Sequence, residues 1–199
     1  MSNLILLIIG FISFIGVMIF IERLIVIKKS QVDINKLLIS LRSAIEAKNM
    51  VEAIHICDET KGPVASIIKV GLGKQSRSKS EIESAIKTQG LIEIANLEKN
   101  AKILSLIAHI APLIGLLGTV LGFIQAFSEM RMSGLVDISA TRIGEAMEFA
   151  LVTTAAGLVV AIPAIVGYNY LVTLIEQHLL EMETVSSEVV DLLVFGDEI

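Results

Sequence analysis

Apolar side chains are concentrated in three long runs that carry no charged residue. These runs are positions 1–21, 103–128 and 149–175. A helix needs about 20 apolar residues to cross a bilayer, so each run is long enough to be a span. The first run has no basic segment before it and no small-residue cleavage site after it, so we expect it to be retained. The predicted transmembrane helices are residues 1–27, 103–127 and 149–175.

The segment between the first two runs has the pattern of a helical domain. From Ile34 to Ile45, apolar residues recur at helical spacing with polar residues between them. Ser80, with Glu83 three residues later, predicts a capping box that starts a helix running without interruption into the second span. No strand alternation of useful length occurs, so an all-α fold is predicted. The remaining segments are a cytoplasmic helical domain at 28–102, a connection at 128–148 and an acidic tail at 176–199.

The composition is typical of a membrane protein and argues against several classes of function. Hydrophobic residues make up 54% of the chain, charged residues only 19%, and the mean hydropathy is +0.77. The lone Cys57 cannot form an internal disulfide and is interpreted as a small buried thiol. The sequence has no metal-ligand cluster, nucleotide-binding loop or nucleophile–base pattern. We therefore expect no enzyme activity, no metal and no cofactor.

The distribution of charge predicts the orientation in the membrane. Of the 16 Lys and Arg residues, 13 lie between Lys28 and Lys102. Basic residues near the ends of spans stay in the cytoplasm, which places 28–102 inside, and the N-terminus and 128–148 outside. The tail from Glu176 to Ile199, with seven acidic residues and no Lys or Arg, then lies inside. The basic residues alternate with acidic and apolar ones, so no nucleic-acid surface is predicted.

Both later spans are rich in small residues. In the second span these are Gly115, Gly118 and Gly122, which include a G-x-x-x-G step. In the third span, Ala150, Thr154, Gly157, Ala161 and Ala164 follow one helix face, and Pro163 offers a kink. Small residues let helix backbones approach closely in lipid, where no hydrophobic drive brings helices together. The pattern predicts close helix packing, which we expect between subunits.

The same two spans carry a resemblance to a known family. APLIGLLGTVLGFIQAF (111–127) and ALVTTAAGLVVAIPAIVGYN (150–169) resemble the two signature helices of the MotA/TolQ/ExbB proton-channel family, most closely its ExbB-like members. Glu22-Arg23 and the segment AIHICDETKGPVASIIKVGL (53–72) are similar to ExbB as well. The likeness therefore covers most of the chain.

The resemblance implies a subunit of a bacterial inner-membrane complex that converts the proton gradient into mechanical work. Family members assemble as homopentamers around a single-span partner similar to ExbD, TolR or MotB, whose membrane aspartate is the protonation site. An ExbB-like role would deliver the work to a TonB-like protein. The alternatives are a TolQ-like role in the Tol-Pal envelope system and a non-conducting membrane scaffold. A MotA-like role is disfavoured because that branch has four spans.

Three hydroxyl side chains and one carboxylate are candidates for the proton path. Thr119 and Thr154 both fall ~8 to 12 Å below the outer boundary on antiparallel spans, so we expect them to line a pore at one level. Thr153 lies beside that face. Threonines in spans also bond to their own helix carbonyls, which is the alternative for each of them. ExbB-like proteins commonly have a glutamate at the position of Phe149; here Glu148 is one residue away, so its role is left open.

The first and second spans hold charged or ionisable residues with simpler interpretations. Glu22 and Arg23 are expected to form an interfacial anchor, with the arginine reaching toward the headgroups. His109 could relay protons, since an ionisable residue in a membrane suggests function. A neutral, hydrogen-bonded structural histidine is the preferred interpretation.

Overall fold

The computed structural model describes residues 2–133 and 140–195, and these ranges are helical with no strand. The helices are α1 (Ser2–Lys29), α2 (Ile34–Glu46), α3 (Met50–Glu59), α4 (Pro63–Leu72), α5 (Lys79–Glu98), α6 (Ala101–Ser133) and α7 (Ala140–Phe195). Within the described residues, α1, α6 and α7 contain stretches long and apolar enough to cross a membrane. The predicted all-α class with three transmembrane helices is confirmed.

The short helices begin where local chemistry satisfies their free N–H groups. Asp33 accepts a hydrogen bond from the N–H of Lys36 at 3.2 Å, and Asn49 accepts one from Glu52 at 3.2 Å. Asn49 thus starts helix α3 as its N-cap. Before α4, Gly62 has a φ of 132°, and a Cβ there would lie 2.6 Å from the carbonyl oxygen of Ser30. The turn into α4 therefore requires glycine.

Two predictions about helix α5 are wrong. The capping box lies two residues earlier than predicted, at Ser78 and Glu81. The first-turn carboxylate of the helix, on Glu81, accepts hydrogen bonds from the backbone N–H of Ser78 at 3.2 Å and from the Ser78 hydroxyl at 2.9 Å. Helix α5 also ends at Glu98 instead of continuing into the second span. Asn100 adopts a φ of 62°, a left-handed conformation that asparagine tolerates better than most residues, and α6 starts afresh at Ala101.

The chain divides into two compact units. The first contains the described parts of Met1–Glu22 and Asn100–Tyr170, and the second those of Arg23–Lys99 and Leu171–Ile199. In the first unit, α1, α6 and the first part of α7 expose many large apolar side chains. Examples are Phe11 (63% exposed), Leu113 (62%) and Val159 (70%). Lipid or neighbouring protein is the environment in which such surfaces are stable.

The second unit has a hydrophobic core built from α2 to α5 and the last part of α7. Leu41, Ile67 and Ile82 are each at most 1% exposed. The acidic tail belongs to this core, because Val185 and Val189 are fully buried in it. One face of the tail helix is therefore apolar and structural, while its acidic residues lie between the buried positions.

Cys57 lies in the same core, which confirms its interpretation as a buried thiol. Its side chain is 4% exposed. Burial, followed by the neighbouring charge of Asp58, raises the pKa of the Cys57 thiol from its ordinary 9.0 to about 11. The thiol is therefore neutral at physiological pH.

Candidate functional site

Helices α6 and α7 pack closely through the small residues singled out in the sequence. Gly115, Gly118, Gly122 and Gly157 are all buried. A Cβ at Gly122 would lie 2.6 Å from the Cβ of Ala150, and one at Gly157 would lie 2.6 Å from the Ala111 carbonyl oxygen. Real Cβ atoms do not come so close, so this approach of the two helices depends on glycine.

The small-residue stripe is therefore used within one chain. We expected it to pack between subunits, and in the single chain its N-terminal half contacts α6. Further along α7, Ala161 is 2% exposed, and a Cβ at Gly167 would lie 3.0 Å from the Phe20 ring of α1. Pro163 is exposed and lies inside the continuous helix, where its ring removes one backbone hydrogen bond. The close contact is confirmed within the chain, and packing between subunits stays a prediction.

Thr153 is the innermost of the three candidate threonines. Its side chain is 0% exposed, and its hydroxyl donates to the Ala150 carbonyl at 2.8 Å. A Cβ at Gly118 would lie 2.6 Å from the Thr153 Cβ, so this glycine makes the space that the threonine fills. Within a single chain Thr153 packs between α6 and α7, and its side chain is not accessible to a pore.

Thr154 and Thr119 lie at the edge of the same helix pair and are half-buried. The Thr154 hydroxyl donates across the pair to the Gly115 carbonyl at 3.1 Å. The Thr119 hydroxyl donates to Leu116 of its own helix at 2.7 Å. Because Thr154 lies opposite Gly115, Thr119 is one further turn, about 6 Å, along α6. The pair therefore presents two accessible hydroxyl groups within one helical turn.

Glu148 lies on a different side of α7 from the glycine contacts. Ala146 and Ala150 both face Gly122. A residue two positions from each of them is rotated by about 200°, which directs Glu148 away from α6. Its side chain is exposed, as is that of Glu145, whereas Phe149 is half-buried.

The predicted interfacial anchor at Glu22 and Arg23 is wrong for its arginine. Arg23 is only 7% exposed, and its guanidinium donates to the Asn96 carbonyl at 3.2 Å. Asn96 is in the last turn of α5, where carbonyl groups have no partner within the helix, and a cation there is favourable. Glu22 accepts a hydrogen bond from the side-chain amide of Asn100 at 3.2 Å. Arg23 therefore joins two helices and does not extend toward headgroups.

Two histidines have defined partners. The Nδ1 atom of His109 is 2.6 Å from the Ser105 carbonyl oxygen, which agrees with a structural role. His178, for which no role was predicted, is 2% exposed. Its Nε2 lies 3.3 Å from the Ile27 carbonyl oxygen and its Nδ1 lies 3.1 Å from the Glu181 carboxylate. The helical spacing of His178 with the buried positions 171, 174, 175 and 182 could have indicated its burial. Among the described residues, no group of three His, Cys, Asp or Glu side chains is arranged to hold a metal.

Comparison with known proteins gives the family context for this helix pair. Residues 59–184 match the MotA/TolQ/ExbB proton channel family, and this range includes both small-residue helices. A putative biopolymer transport protein ExbB homolog from Methanothermobacter thermautotrophicus is 28% identical over 158 residues, which is 79% of this chain and 55% of that protein. The chain thus spans about half the length of this relative.

Two further relatives match shorter parts of the chain. The biopolymer transport protein ExbB of Aquifex aeolicus is 35% identical over 121 residues, covering 61% of this chain and 80% of that protein. The Tol-Pal system protein TolQ of Haemophilus influenzae is 40% identical over 79 residues, covering 40% of this chain and 34% of that protein. With a family match over more than half its length and three helices able to cross a membrane, this chain is a membrane protein that belongs to the MotA/TolQ/ExbB proton channel family.

Proposed function

We propose that this chain is the multi-span subunit of a bacterial inner-membrane complex that uses the proton gradient to energise TonB-dependent transport across the outer membrane. Membership of a proton-channel family supports this proposal, as do relatives described as biopolymer transport proteins ExbB. In this complex the chain forms a homo-oligomer, a pentamer by analogy with the family. It surrounds a single-span ExbD/TolR-like partner and passes work to a TonB-like protein.

The orientation is part of the same proposal. The helical domain at 28–102 and the tail at 176–199 lie in the cytoplasm, and the N-terminus and the connection at 128–148 lie outside. The excess of Lys and Arg between Lys28 and Lys102 supports this arrangement.

The observation that carries the proposal is the pair of half-buried threonines at the edge of a largely apolar, glycine-rich helix pair. Their hydroxyl groups can both donate and accept hydrogen bonds, as a path for water and protons requires. Their placement at the edge of the α6–α7 contact makes Thr119 and Thr154 the candidate pore-lining residues. Thr153 supports them from inside the pair, where it fills the space beside Gly118. Glu148 is exposed on another side and is assigned a smaller role.

Proton flux into liposomes that contain the protein with its single-span partner tests the assignment. Thr119→Val and Thr154→Val keep the shape of each side chain and remove its hydroxyl. A hydrogen bond to a charged group contributes about 1.5–3 kcal/mol, so we expect each variant to assemble normally and lose about tenfold or more of the flux. Thr184→Val is the matched control, because Thr184 lies on α7 beyond the span and bonds only to its own helix at 2.9 Å.

Two other results would contradict the assignment of the proton path to Thr119 and Thr154. If both valine variants conduct like the wild type while Glu148→Gln is inactive, the carboxylate carries the protons and the threonines do not. If neither type of variant changes the flux and the wild type itself does not conduct, the non-conducting scaffold is the better description.

The similarity to TolQ supports a second candidate, in which the same proton-driven subunit energises the Tol-Pal envelope system. The two roles separate in a deletion strain. Loss of TonB-dependent uptake with an intact envelope supports the ExbB-like role, whereas leakage of periplasmic enzymes with normal uptake supports the TolQ-like one.

A further inference from the structure

The second unit contains an open groove that the proposed proton path does not use. It runs between α5 and the last part of α7 and has a volume of about 450 Å³. Its floor is apolar and belongs to the core, with Ile67, Ile86 and Met182 each no more than 4% exposed. The α5 side extends from Lys79 to Ile94, about 22 Å, which matches roughly four turns of a helix.

The lining of the groove carries more acidic than basic side chains: Glu83, Glu183 and Asp191 against Lys79 and Lys87. Glu83 on α5 and Glu183 on α7 face the groove from opposite sides, and neither forms a hydrogen bond or ion pair with the described part of the chain. The nearby Asp191 is different, since it pairs with Lys79 at 3.2 Å at one end of the groove. The α7 wall has no basic residue, because no Lys or Arg occurs from Glu176 to the end of the sequence.

This combination fits one kind of occupant. An amphipathic helix would place its apolar face on the floor, and basic residues on its two flanks would meet the carboxylates of the two walls. An anionic lipid headgroup would meet these carboxylates with Lys87 as its one unpaired lysine in the lining, so the balance of charge favours a basic occupant. Cytoplasmic segments next to a membrane span are rich in Lys and Arg. We infer that this groove binds the basic, amphipathic cytoplasmic segment of the single-span partner, an inference that rests on the proposed function.

Photo-crosslinking in cells that carry the full chain and an epitope-tagged single-span partner tests the groove. A benzoylphenylalanine replaces Gly90, which lines the groove and has open space where its Cβ would be. The control replaces Ile92, which is exposed on the same helix and does not line the groove. We expect a crosslink to the tagged partner from position 90, with about tenfold less from position 92.

Charge reversal tests the role of the walls. The double variant Glu83→Lys, Glu183→Lys should reduce the crosslink from position 90 about tenfold or more, because each wall would then repel a basic segment. Glu188→Lys is the matched control, since Glu188 is exposed on the same acidic helix outside the groove. It should leave the crosslink unchanged.

The outcomes separate this inference from the proposed function. A crosslink from position 90 to a second copy of this chain, or no effect of charge reversal, overturns the groove assignment. So does the absence of a crosslink when the partner co-purifies and proton flux is normal, and the proposed function then stands. If the partner neither co-purifies nor supports flux, the proposed function fails and the groove inference falls with it.

Discussion

Two buried polar side chains in the second unit, Arg23 and His178, contact carbonyl groups near the ends of helices. The last carbonyl groups of a helix have no partner inside the helix. Arg23 donates to such a carbonyl near the end of α5, and the His178 ring contacts the Ile27 carbonyl near the end of α1, which also accepts from the Ser30 N–H at 3.1 Å. Burial of these polar groups is tolerated because each has a partner. Both residues therefore serve the fold of the second unit.

Cys57 gives a prediction at the scale of one residue. Its raised pKa, about 11, keeps the thiolate fraction small until the pH approaches that value, and the thiolate is the reactive form. In the folded protein we expect little modification by iodoacetamide at pH 8, and full modification in denaturant, where the pKa returns to its ordinary value. The measurement is mass spectrometry of labelled protein over time.

An exposed cysteine provides the control for that experiment. Ser76→Cys in a Cys57→Ala background places a thiol on an exposed loop of the same unit, and this thiol should react at pH 8 without denaturant. Equal labelling rates for the native Cys57 and this control would contradict the burial described here.

At the scale of helices, the sequence predicted the start and the end of α5 incorrectly. Ser78 with Glu81 and Ser80 with Glu83 both match the capping pattern, so the pattern alone could not choose between them. The break between α5 and α6 at Asn100 has no neighbouring glycine or proline that would have indicated it in the sequence. Its left-handed backbone depends on the local fold, which apolar periodicity does not report.

The α6–α7 contact could be predicted in part. Steps of three and four small residues identified the faces that pack closely, and these faces are buried in the structure. The sequence could not tell whether the opposing helix belongs to the same chain or to another copy, because either would satisfy the pattern. The burial of Thr153, and the accessibility of Thr154 beside it, likewise depend on which helix faces them.

The helix contact gives a prediction at its own scale. Gly118→Leu would force the new side chain against Thr153, so we expect a loss of about 1–3 kcal/mol or more of folding free energy. Gly10→Leu is the matched control, because a Cβ at Gly10 in α1 meets no atom within 4 Å. Thermal unfolding in mild detergent should show a lower Tm for the first variant and an unchanged Tm for the second. Equal Tm values would contradict the close approach of α6 and α7.

At the scale of the whole molecule, the acidic tail was the main surprise. The distribution of charge predicts a cytoplasmic tail but does not indicate that the tail contributes to the core. The apolar residues of the tail recur at helical spacing between the acidic ones. The buried valines of α7 show that the tail helix has an apolar face in the core, and its acidic residues lie on the other face.

The proposed orientation gives a prediction for the entire chain. A reporter enzyme fused after Lys79 should be active in the cytoplasm, and one inserted near Ser133 should be active only outside, because the basic residues hold the 28–102 segment inside. Alkaline phosphatase and a fluorescent protein report the two compartments. Cleavage at residue 79 by a protease added to the periplasmic side would reverse the orientation and remove the basis for comparing the depths of Thr119 and Thr154.

The use of the small residues within one chain has a consequence for biogenesis. Helices α6 and α7 are consecutive in the sequence, so their closest contact can form as soon as both have left the insertion machinery. In the proposed homo-oligomer, each newly made chain would then already hold this contact before it meets another copy. A variant that fails at Gly118 would be recognised and degraded as a single chain. In a cell that also makes the normal protein, we expect such a defect to be recessive. The variant chains would be degraded before they could enter the proposed oligomer and impair its function.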